Sequence, residues 1–172
     1  PRPAAPASGE HQNAQELPFV SVIIATTCQR QRAQELQRAI DSVLQQEGVR
    51  VELILVVNGT RFDPELFETV KKDPRLKVFY LPEGNLPAAL RFGRDAVSAP
   101  FFSFLDDDDV YLPGGLSTRL AALVAEPDVD FVCTNGFVEE GGSRRSLVRD
   151  AALVERDPPP VPFAGAGGRA AL

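Results

Sequence analysis

Four consecutive aspartates, Asp106, Asp107, Asp108 and Asp109, directly follow the apolar run at residues 101–105. The run predicts a buried strand, and the carboxyl edge of such strands is where α/β proteins bind their ligands. Neighbouring carboxylates repel one another, by about 1 to 4 kcal/mol per pair at roughly 4 Å. A divalent cation would neutralise them, since Mg²⁺ and Mn²⁺ prefer oxygen ligands and often join carboxylates to substrate phosphates. The pattern therefore predicts a metal site, with an acidic, solvated turn as the alternative.

Two further predicted strands also end in polar residues. The strand at residues 19–25 is followed by Thr26 and Thr27, and the strand at residues 51–57 is followed by Asn58. If both strands neighbour the one that carries the aspartates, their polar ends meet at one edge of the sheet, as in nucleotide-binding α/β folds. Threonine and asparagine side chains could then hydrogen-bond a base or ribose, while the aspartates hold a metal on a diphosphate.

Two arginines, Arg91 and Arg94, lie on the helix predicted before the aspartate-bearing strand. They could supply positive charge to phosphates. Exposed arginines are also common on helices for solubility alone, so both interpretations stay open.

The elements that position these residues alternate between strands and helices. Apolar periodicity and turn residues predict a third strand at Leu76–Leu81, a fifth strand at residues 130–138, and helices at residues 36–44, from Pro64, at residues 86–98 and after Gly115. Near-continuously apolar strands separated by amphipathic helices indicate an α/β fold, with a mainly parallel central sheet and helices on both faces.

Composition and charge exclude other classes of function. The chain of 172 residues can form one well-buried domain, and its net charge of −6 argues against a nucleic-acid-binding protein. No apolar stretch approaches the roughly 18 residues that a membrane span needs, so we expect a cytoplasmic protein without a transmembrane segment. Cys28 and Cys133 are predicted to be free, buried thiols. The single histidine, His11, precedes the first strand, which excludes a histidine base in the folded part.

Three segments, taken in order, resemble the GT-A fold glycosyltransferases of family 2. Residues 20–27 look like the opening strand of that family, and residues 52–60 resemble its second strand. Residues 105–113 are similar to its Asp-x-Asp segment and the aromatic-x-Pro that follows. The resemblance implies a Rossmann-like GT-A domain at residues 18–142 that binds a nucleotide sugar. Residues 1–17 are then predicted to be a disordered leader, and residues 143–172 an irregular tail where a missing or truncated acceptor-binding part would start.

The resemblance also implies roles for individual residues. Asp106 and Asp108 take the Asp-x-Asp positions and would hold Mn²⁺ or Mg²⁺, with Asp108 the best direct ligand. Asn58 stands where the family usually has an aspartate that contacts a uracil-type base, and Thr27 stands where an aromatic residue often stacks on that base. The implied nucleotide-sugar-binding residues are Ala25, Thr26, Thr27, Asn58, Arg91, Arg94, Asp106 and Asp107.

The implied reaction moves a sugar from a nucleoside-diphosphate sugar, with a UDP-sugar expected first, to an acceptor hydroxyl. Inversion at the sugar is expected, and the acceptor could be a polysaccharide or a lipid-linked glycan. In the family, the carboxylate base lies well beyond the Asp-x-Asp segment. Glu139 and Glu140 follow the fifth predicted strand, but no motif nominates either one, and an exposed hairpin tip is the stronger interpretation. The catalytic base is therefore not assigned.

Two other functions remain open at this point. One is a truncated or degenerate domain that binds metal and nucleotide sugar without turnover, which the fold alone does not exclude. The other is a phosphotransferase similar to haloacid dehalogenases, with Asp106 as the nucleophile. That second family places its acidic motif on the first strand and needs a downstream lysine or arginine, whereas here three predicted strands come first and no lysine follows Lys77.

Overall fold

A parallel sheet forms the centre of the computed structural model, which describes residues 16–126, 128–140, 142–147 and 170–171. The strands are β1 (Phe19–Thr26), β2 (Arg50–Asn58), β3 (Leu76–Leu81), β4 (Phe101–Asp106), β5 (Phe137–Glu140), β6 (Ser143–Ser146) and β7 (Ala170–Ala171). The sheet has the order β3-β2-β1-β4-β7, and all its pairs are parallel. β5 and β6 form a separate antiparallel hairpin. The four sheet strands that the sequence predicts are thus confirmed.

Helices cover both faces of this sheet. They are α1 (Ala33–Leu44), α2 (Pro64–Lys72), α3 (Leu86–Asp95) and α4 (Gly115–Ala125). Helices α1, α2 and α4 pack on one face, in a core cluster with the alternate β1 residues Val20, Val22 and Ile24. Helix α3 packs on the other face, where Ala89 joins a cluster with Ile23. Strands that are buried on both faces need helices on both sides of the sheet. The helices found on both faces therefore confirm the predicted fold class.

Two of the helices begin at polar capping residues. The carboxylate of Asp63 accepts a hydrogen bond from the Leu66 amide at 2.9 Å, and Pro64 occupies the first turn of α2. The side chain of Asn85 caps α3 in the same way, by accepting from the Ala88 amide at 3.0 Å. Both caps satisfy amides that would otherwise lack a partner at a helix start. Of the helices described, none has the length and apolar character needed to cross a bilayer.

The predicted fifth strand at residues 130–138 is wrong. The strand found in this region is β5, which pairs with β6 and not with the parallel sheet. The outer edge of β4 instead pairs with β7, through Phe101 opposite Ala170 and Phe102 opposite Ala171. Phe131 and Phe137 remain exposed. The apolar residues of this segment favour a strand, but they do not indicate which segment of the chain pairs with the outer edge of β4.

The hairpin agrees with the interpretation of Glu139 and Glu140 as exposed. Glu139 forms an ion pair with Arg144 on the facing strand, and Gly142 turns the chain with a φ of 78°. The domain boundary predicted at residue 142 falls inside this hairpin. Residues 1–15 of the predicted leader and residues 148–169 of the predicted tail lie outside the described residues. The three-part division of the chain stays a prediction.

Glu52 forms a polar cluster at the edge of the sheet opposite the carboxyl ends. Its carboxylate accepts hydrogen bonds from the hydroxyls of Ser21 and Ser98, both at 2.5 Å, and from the Ser98 amide at 3.0 Å. Lys77 pairs with the same carboxylate. Burial on its own would raise the pKa of Glu52, but the hydrogen bonds from Lys77, Ser21 and Ser98 outweigh it and lower this pKa to about 2. The cluster ties β1, β2 and β3 to the segment after α3.

The substitution Gly93→Ala should destabilise the fold. A Cβ atom at Gly93 would overlap Ile23 Cγ2 and lie 3.3 Å from Val56 Cγ2, so α3 would have to move away from the sheet. We expect a loss of about 1 to 3 kcal/mol in the free energy of unfolding, as for other overpacked cores. Urea denaturation followed by circular dichroism measures it. Gly136→Ala is the matched control, since a Cβ there meets nothing within 4 Å, and equal losses in the two variants would contradict the packing argument.

The substitution Glu52→Gln should reduce stability in a pH-dependent way. The folded-state pKa of Glu52 lies below the ordinary value of 4.5, at about 2. The stabilisation by its carboxylate is therefore present above pH 4.5 and is lost as the pH falls towards 2. We expect Glu52→Gln to cost about 1 to 3 kcal/mol at pH 7, and the difference from wild type to shrink below pH 4. Chemical denaturation across this pH range tests it, with the exposed Glu83→Gln as control. A pH-independent difference would refute the assignment.

Candidate functional site

Three loops meet at the carboxyl edge of the sheet because β1 lies between β2 and β4. In the strand register, Thr26 lies opposite Val57 and Ala25 lies opposite Asp106. The order also reverses here, since β2 and β3 continue on one side of β1 and β4 lies on the other. Such a reversal is the position where open α/β sheets bind ligands. The neighbouring strands that the sequence interpretation requires are thus present.

Thr26 joins all three loops. Its hydroxyl donates to Asp107 Oδ2 at 2.6 Å and accepts from the Cys28 amide at 2.9 Å. Its carbonyl accepts from Asn58 Nδ2 at 3.1 Å. Thr26, Asn58 and Asp107 are all buried, so these bonds form without competition from water. The network fixes the acidic run relative to the ends of β1 and β2.

Arg32 is a site residue that the sequence interpretation missed. It ends a single 3₁₀ turn, Arg30–Arg32, that follows β1. Its Nη2 lies 2.5 Å from Asp107 Oδ1 and 3.0 Å from Asp108 Oδ2. No motif marks this arginine among its neighbours, and only the path of the loop after β1 brings it to the acidic run. Both Asp107 oxygens are therefore paired, one with Thr26 and one with Arg32.

Asp106 and Asp108 have the opposite orientation to Asp107. Both are exposed, and in the described part of the chain the Asp106 carboxylate has no hydrogen-bond or ion-pair partner. The pKa of Asp109 is raised, by partial burial and by the charges of Asp108 and Asp106. The run is thus divided into a buried carboxylate, Asp107, with both oxygens paired, and exposed carboxylates, of which Asp108 shares Arg32 with Asp107.

The outward carboxylates fit a hard divalent cation. No group of three or more histidine, cysteine or acidic side chains in the described residues already converges on one point. That result excludes a complete cage of protein ligands within this part of the chain. Mg²⁺ does not need such a cage, since proteins usually bind it through one or two carboxylates together with waters and substrate phosphates. Asp106 and Asp108 provide carboxylate oxygens of this kind.

A cleft of about 200 Å³ opens beside the ends of β1, β2 and β3. Its floor depends on Gly59, whose φ of 87° suits glycine and at which a Cβ would lie 3.4 Å from the Gly84 Cα. Arg61 brings a positive charge to the cleft. The lining consists of Thr27, Gln29, Asn58, Gly59, Thr60, Arg61, Pro82 and Gly84. Thr27 and Asn58 were predicted as site residues, whereas Gln29, Thr60 and Arg61 were not.

Two of the eight predicted nucleotide-sugar-binding residues line this cleft, and six do not: Ala25, Thr26, Arg91, Arg94, Asp106 and Asp107. Ala25 is buried in the core cluster under α3. The guanidinium of Arg94 lies 5.8 Å from the ring centroid of Phe102, near the start of β4 rather than at its acidic end. Arg91 is exposed on α3. Helix α3 begins at the carboxyl edge and runs back along the sheet. Arg91 and Arg94 lie in its second half and are therefore farther from the aspartates than its first turn is.

The loop after the aspartates is fixed to the helix layer. The Tyr111 hydroxyl lies 2.5 Å from Ser103 Oγ and donates to the Phe104 carbonyl at 3.1 Å. The buried Gln46 donates from Nε2 to the Leu112 carbonyl at 3.0 Å and accepts at Oε1 from the Leu116 amide at 3.1 Å. These bonds connect both ends of the loop to α1 and β4. The acidic run therefore lies between two anchored segments.

Residues 21–162 match the family model described as glycosyl transferase family 2, so this chain belongs to that family. It is 30% identical over 115 residues to the uncharacterized glycosyltransferase EpsJ of Bacillus subtilis, covering 66% of this chain and 33% of that protein. It is also 30% identical over 155 residues to the GalNAc(5)-diNAcBac-PP-undecaprenol beta-1,3-glucosyltransferase of Campylobacter jejuni, covering 82% of this chain and 47% of that protein. The chain thus spans between about a fifth and a half of the length of such relatives.

A solved structure gives the same fold. The match to the crystal structure of TarS residues 1–349 from S. aureus covers 70% of this chain and 38% of the TarS chain, with a TM-score of 0.51 and 19% sequence identity. The predicted GT-A family 2 membership and fold are confirmed. The phosphotransferase alternative finds no support, since the acidic run follows the fourth strand of the sheet.

The two cysteines should differ strongly in reactivity. Cys28 is 1% exposed, and burial, with the charges of Asp63 and Asp107, raises the pKa of its thiol to about 11. Cys133 is exposed, so its predicted burial is wrong, because β5 begins only at Phe137 and Cys133 lies in the segment before it. We expect iodoacetamide to modify Cys133 at least about a hundredfold faster than Cys28 in the native protein, since only the thiolate reacts. Peptide mass spectrometry measures both rates, and denatured protein is the control. Rapid native labelling of Cys28 would contradict its burial.

Proposed function

We propose that this chain contains the donor-binding part of a metal-dependent glycosyltransferase that uses a UDP-sugar. The sugar would pass, with inversion, to a hydroxyl of a polysaccharide or lipid-linked glycan. One observation carries the proposal: Asp106 and Asp108 are exposed at the reversal of the strand order, while the buried Asp107 between them is held by a hydrogen bond from Thr26 and an ion pair with Arg32. The Asp106 carboxylate has no partner among the described residues, and Asp108 makes only a solvent-exposed contact with Arg32, so a cation can reach both carboxylates at the position where such sheets bind nucleotides.

The cleft beside β2 suits the nucleoside end of the donor. The side-chain amide nitrogen of Asn58 donates a hydrogen bond to the Thr26 carbonyl. The amide oxygen of Asn58 then remains as an acceptor for an N–H of a uracil-type base. An asparagine can therefore serve where the family usually has an aspartate. Thr27 and Thr60 offer hydroxyls, and Arg61 offers charge, along the same lining. A cleft of about 200 Å³ accommodates part of such a donor rather than all of it.

The chemistry at the diphosphate depends on charge. A divalent cation bound by Asp106 and Asp108 would stabilise the negative charge that develops on the leaving diphosphate. The chain itself holds these carboxylates in place, through the Thr26 bond to Asp107 on one side and the Gln46 bonds around Leu112 on the other. Glu139 is paired with Arg144 in an exposed hairpin, which gives no support to a role as the base.

The acceptor is inferred from a relative. The C. jejuni enzyme is named for a substrate linked to undecaprenol through a diphosphate, which favours a lipid-linked glycan for this chain too. A second candidate function is donor binding without turnover. It is favoured by the pairing of Glu139 with Arg144 in an exposed hairpin, which leaves the catalytic base unassigned among the described residues.

Donor binding should require both the metal and Asp108. We expect calorimetric titration to show UDP binding in the presence of Mn²⁺, stronger than GDP or dTDP binding. The substitution Asp108→Asn should weaken UDP binding at least about tenfold, because it removes a charged ligand while keeping the shape. The control is Asp95→Asn, an exposed acidic residue at the end of α3. Binding that is equally strong without metal, or an unaffected Asp108→Asn variant, would refute the site.

Turnover is tested separately. Release of free UDP from UDP-sugars, measured with Mn²⁺ and with a lipid-linked glycan as acceptor, distinguishes a transferase from a binding domain. Release that Asp108→Asn abolishes supports transfer. Metal-dependent binding without any release would favour the second candidate.

A further inference from the structure

We infer that Arg32 is a positioning residue that couples diphosphate binding to cation binding, because its guanidinium pairs with the carboxylate proposed as the best metal ligand. This inference rests on the proposed function and extends it. A cation that binds Asp108 must compete with Arg32 for Oδ2, which lies 3.0 Å from Arg32 Nη2. A diphosphate that attracts Arg32 removes that competitor.

The two contacts of Arg32 differ in strength. The contact with Asp107 spans 2.5 Å, and the Asp107 side chain is 9% exposed, with its other oxygen bound by Thr26. The contact with Asp108 is longer, and the Asp108 side chain is 55% exposed. Exposed ion pairs contribute little, whereas breaking a buried pair is strongly unfavourable. Arg32 should therefore keep Asp107 and exchange Asp108.

Arg32 has donors available for a phosphate. Both of its ion pairs use the same nitrogen, Nη2, and its side chain is 40% exposed. A guanidinium carries five N–H donors in a planar fork, which matches phosphate oxygens. Arg32 can thus bind a phosphate oxygen without leaving Asp107. The small rotation that would direct the fork to the phosphate would release Asp108 to a cation.

The expected consequence is reciprocal coupling. If a diphosphate raises the affinity for the cation, the cation must raise the affinity for the diphosphate by the same factor. The acidic run would then hold a cation weakly on its own and more tightly together with a donor. This coupling depends on the specific contact between Arg32 and Asp108. A general effect of positive charge near the acidic run would not need that contact, and a neighbouring arginine distinguishes the two explanations.

Arg30 provides the matched control. It lies on the same 3₁₀ turn, two residues before Arg32, but it pairs with Asp63 and Glu65 instead of the acidic run. The substitutions Arg30→Gln and Arg32→Gln change the net charge equally. Only the second removes the contact with Asp108.

The test is calorimetric titration of Mn²⁺ into the wild type and both variants, with and without saturating UDP. We expect Arg32→Gln to bind Mn²⁺ alone about two- to fivefold more tightly than wild type, the effect of removing one partly exposed competing ion pair. We also expect UDP to enhance Mn²⁺ binding less in this variant than in wild type. Arg30→Gln should match wild type in both measurements.

Several results would overturn the inference. Weaker Mn²⁺ binding by Arg32→Gln would mean that Arg32 only supports the geometry of the run, and equal changes in the two variants would mean a general charge effect. A wild type that binds no UDP with Mn²⁺ would refute the proposed function itself, which is a distinguishable outcome. If thermal melting shows that Arg32→Gln is unfolded, Arg32→Lys replaces it. An ammonium lacks the fork, so UDP should enhance Mn²⁺ binding less than in wild type, and full enhancement would refute the coupling.

Discussion

The hydrogen bond between Thr26 and Asp107 is the constraint on which the site depends. It spans 81 positions of sequence and joins the ends of β1 and β4, the two strands between which the sheet reverses its order. The connections that leave two such strands run to opposite sides and leave a crevice between them, so a specific contact is needed to hold the loops on its two sides together. A buried, charge-assisted bond of 2.6 Å supplies that contact. The loops after β1, β2 and β4 all take their positions from it.

The same bond separates the functions of neighbouring carboxylates. Asp107 faces inward, where it accepts a hydrogen bond from Thr26 and forms an ion pair with Arg32, so it contributes to the structure. Asp106 and Asp108 are exposed, and Asp108 shares Arg32 with Asp107. A run of identical residues thus combines an anchor with two proposed ligands. Without the inward pairing, the repulsion within the run would oppose the folded loop directly.

Much of this arrangement can be predicted from the sequence, because the strands have strong local signals. Four apolar runs identify the parallel strands, and Asp63 and Pro64 identify the start of α2. The proximity of Thr26, Asn58 and the aspartates follows once the strand order is assumed. Arg32 could not be predicted, because its contact with Asp107 depends on the path of a loop and joins residues 75 positions apart. The pairing of the fifth strand could not be predicted for a similar reason, since the partner of a sheet edge does not depend on local sequence.

The bonds made by Gln46 have a consequence for loop length. This one side chain contacts the Leu112 carbonyl and the Leu116 amide, and its nitrogen also donates to the Ser42 carbonyl at 3.0 Å. The distance between the backbone groups of residues 112 and 116 is therefore fixed by the one side-chain amide that binds both. An inserted residue there would separate the two backbone groups that the amide joins, and the start of α4 would lose its partner.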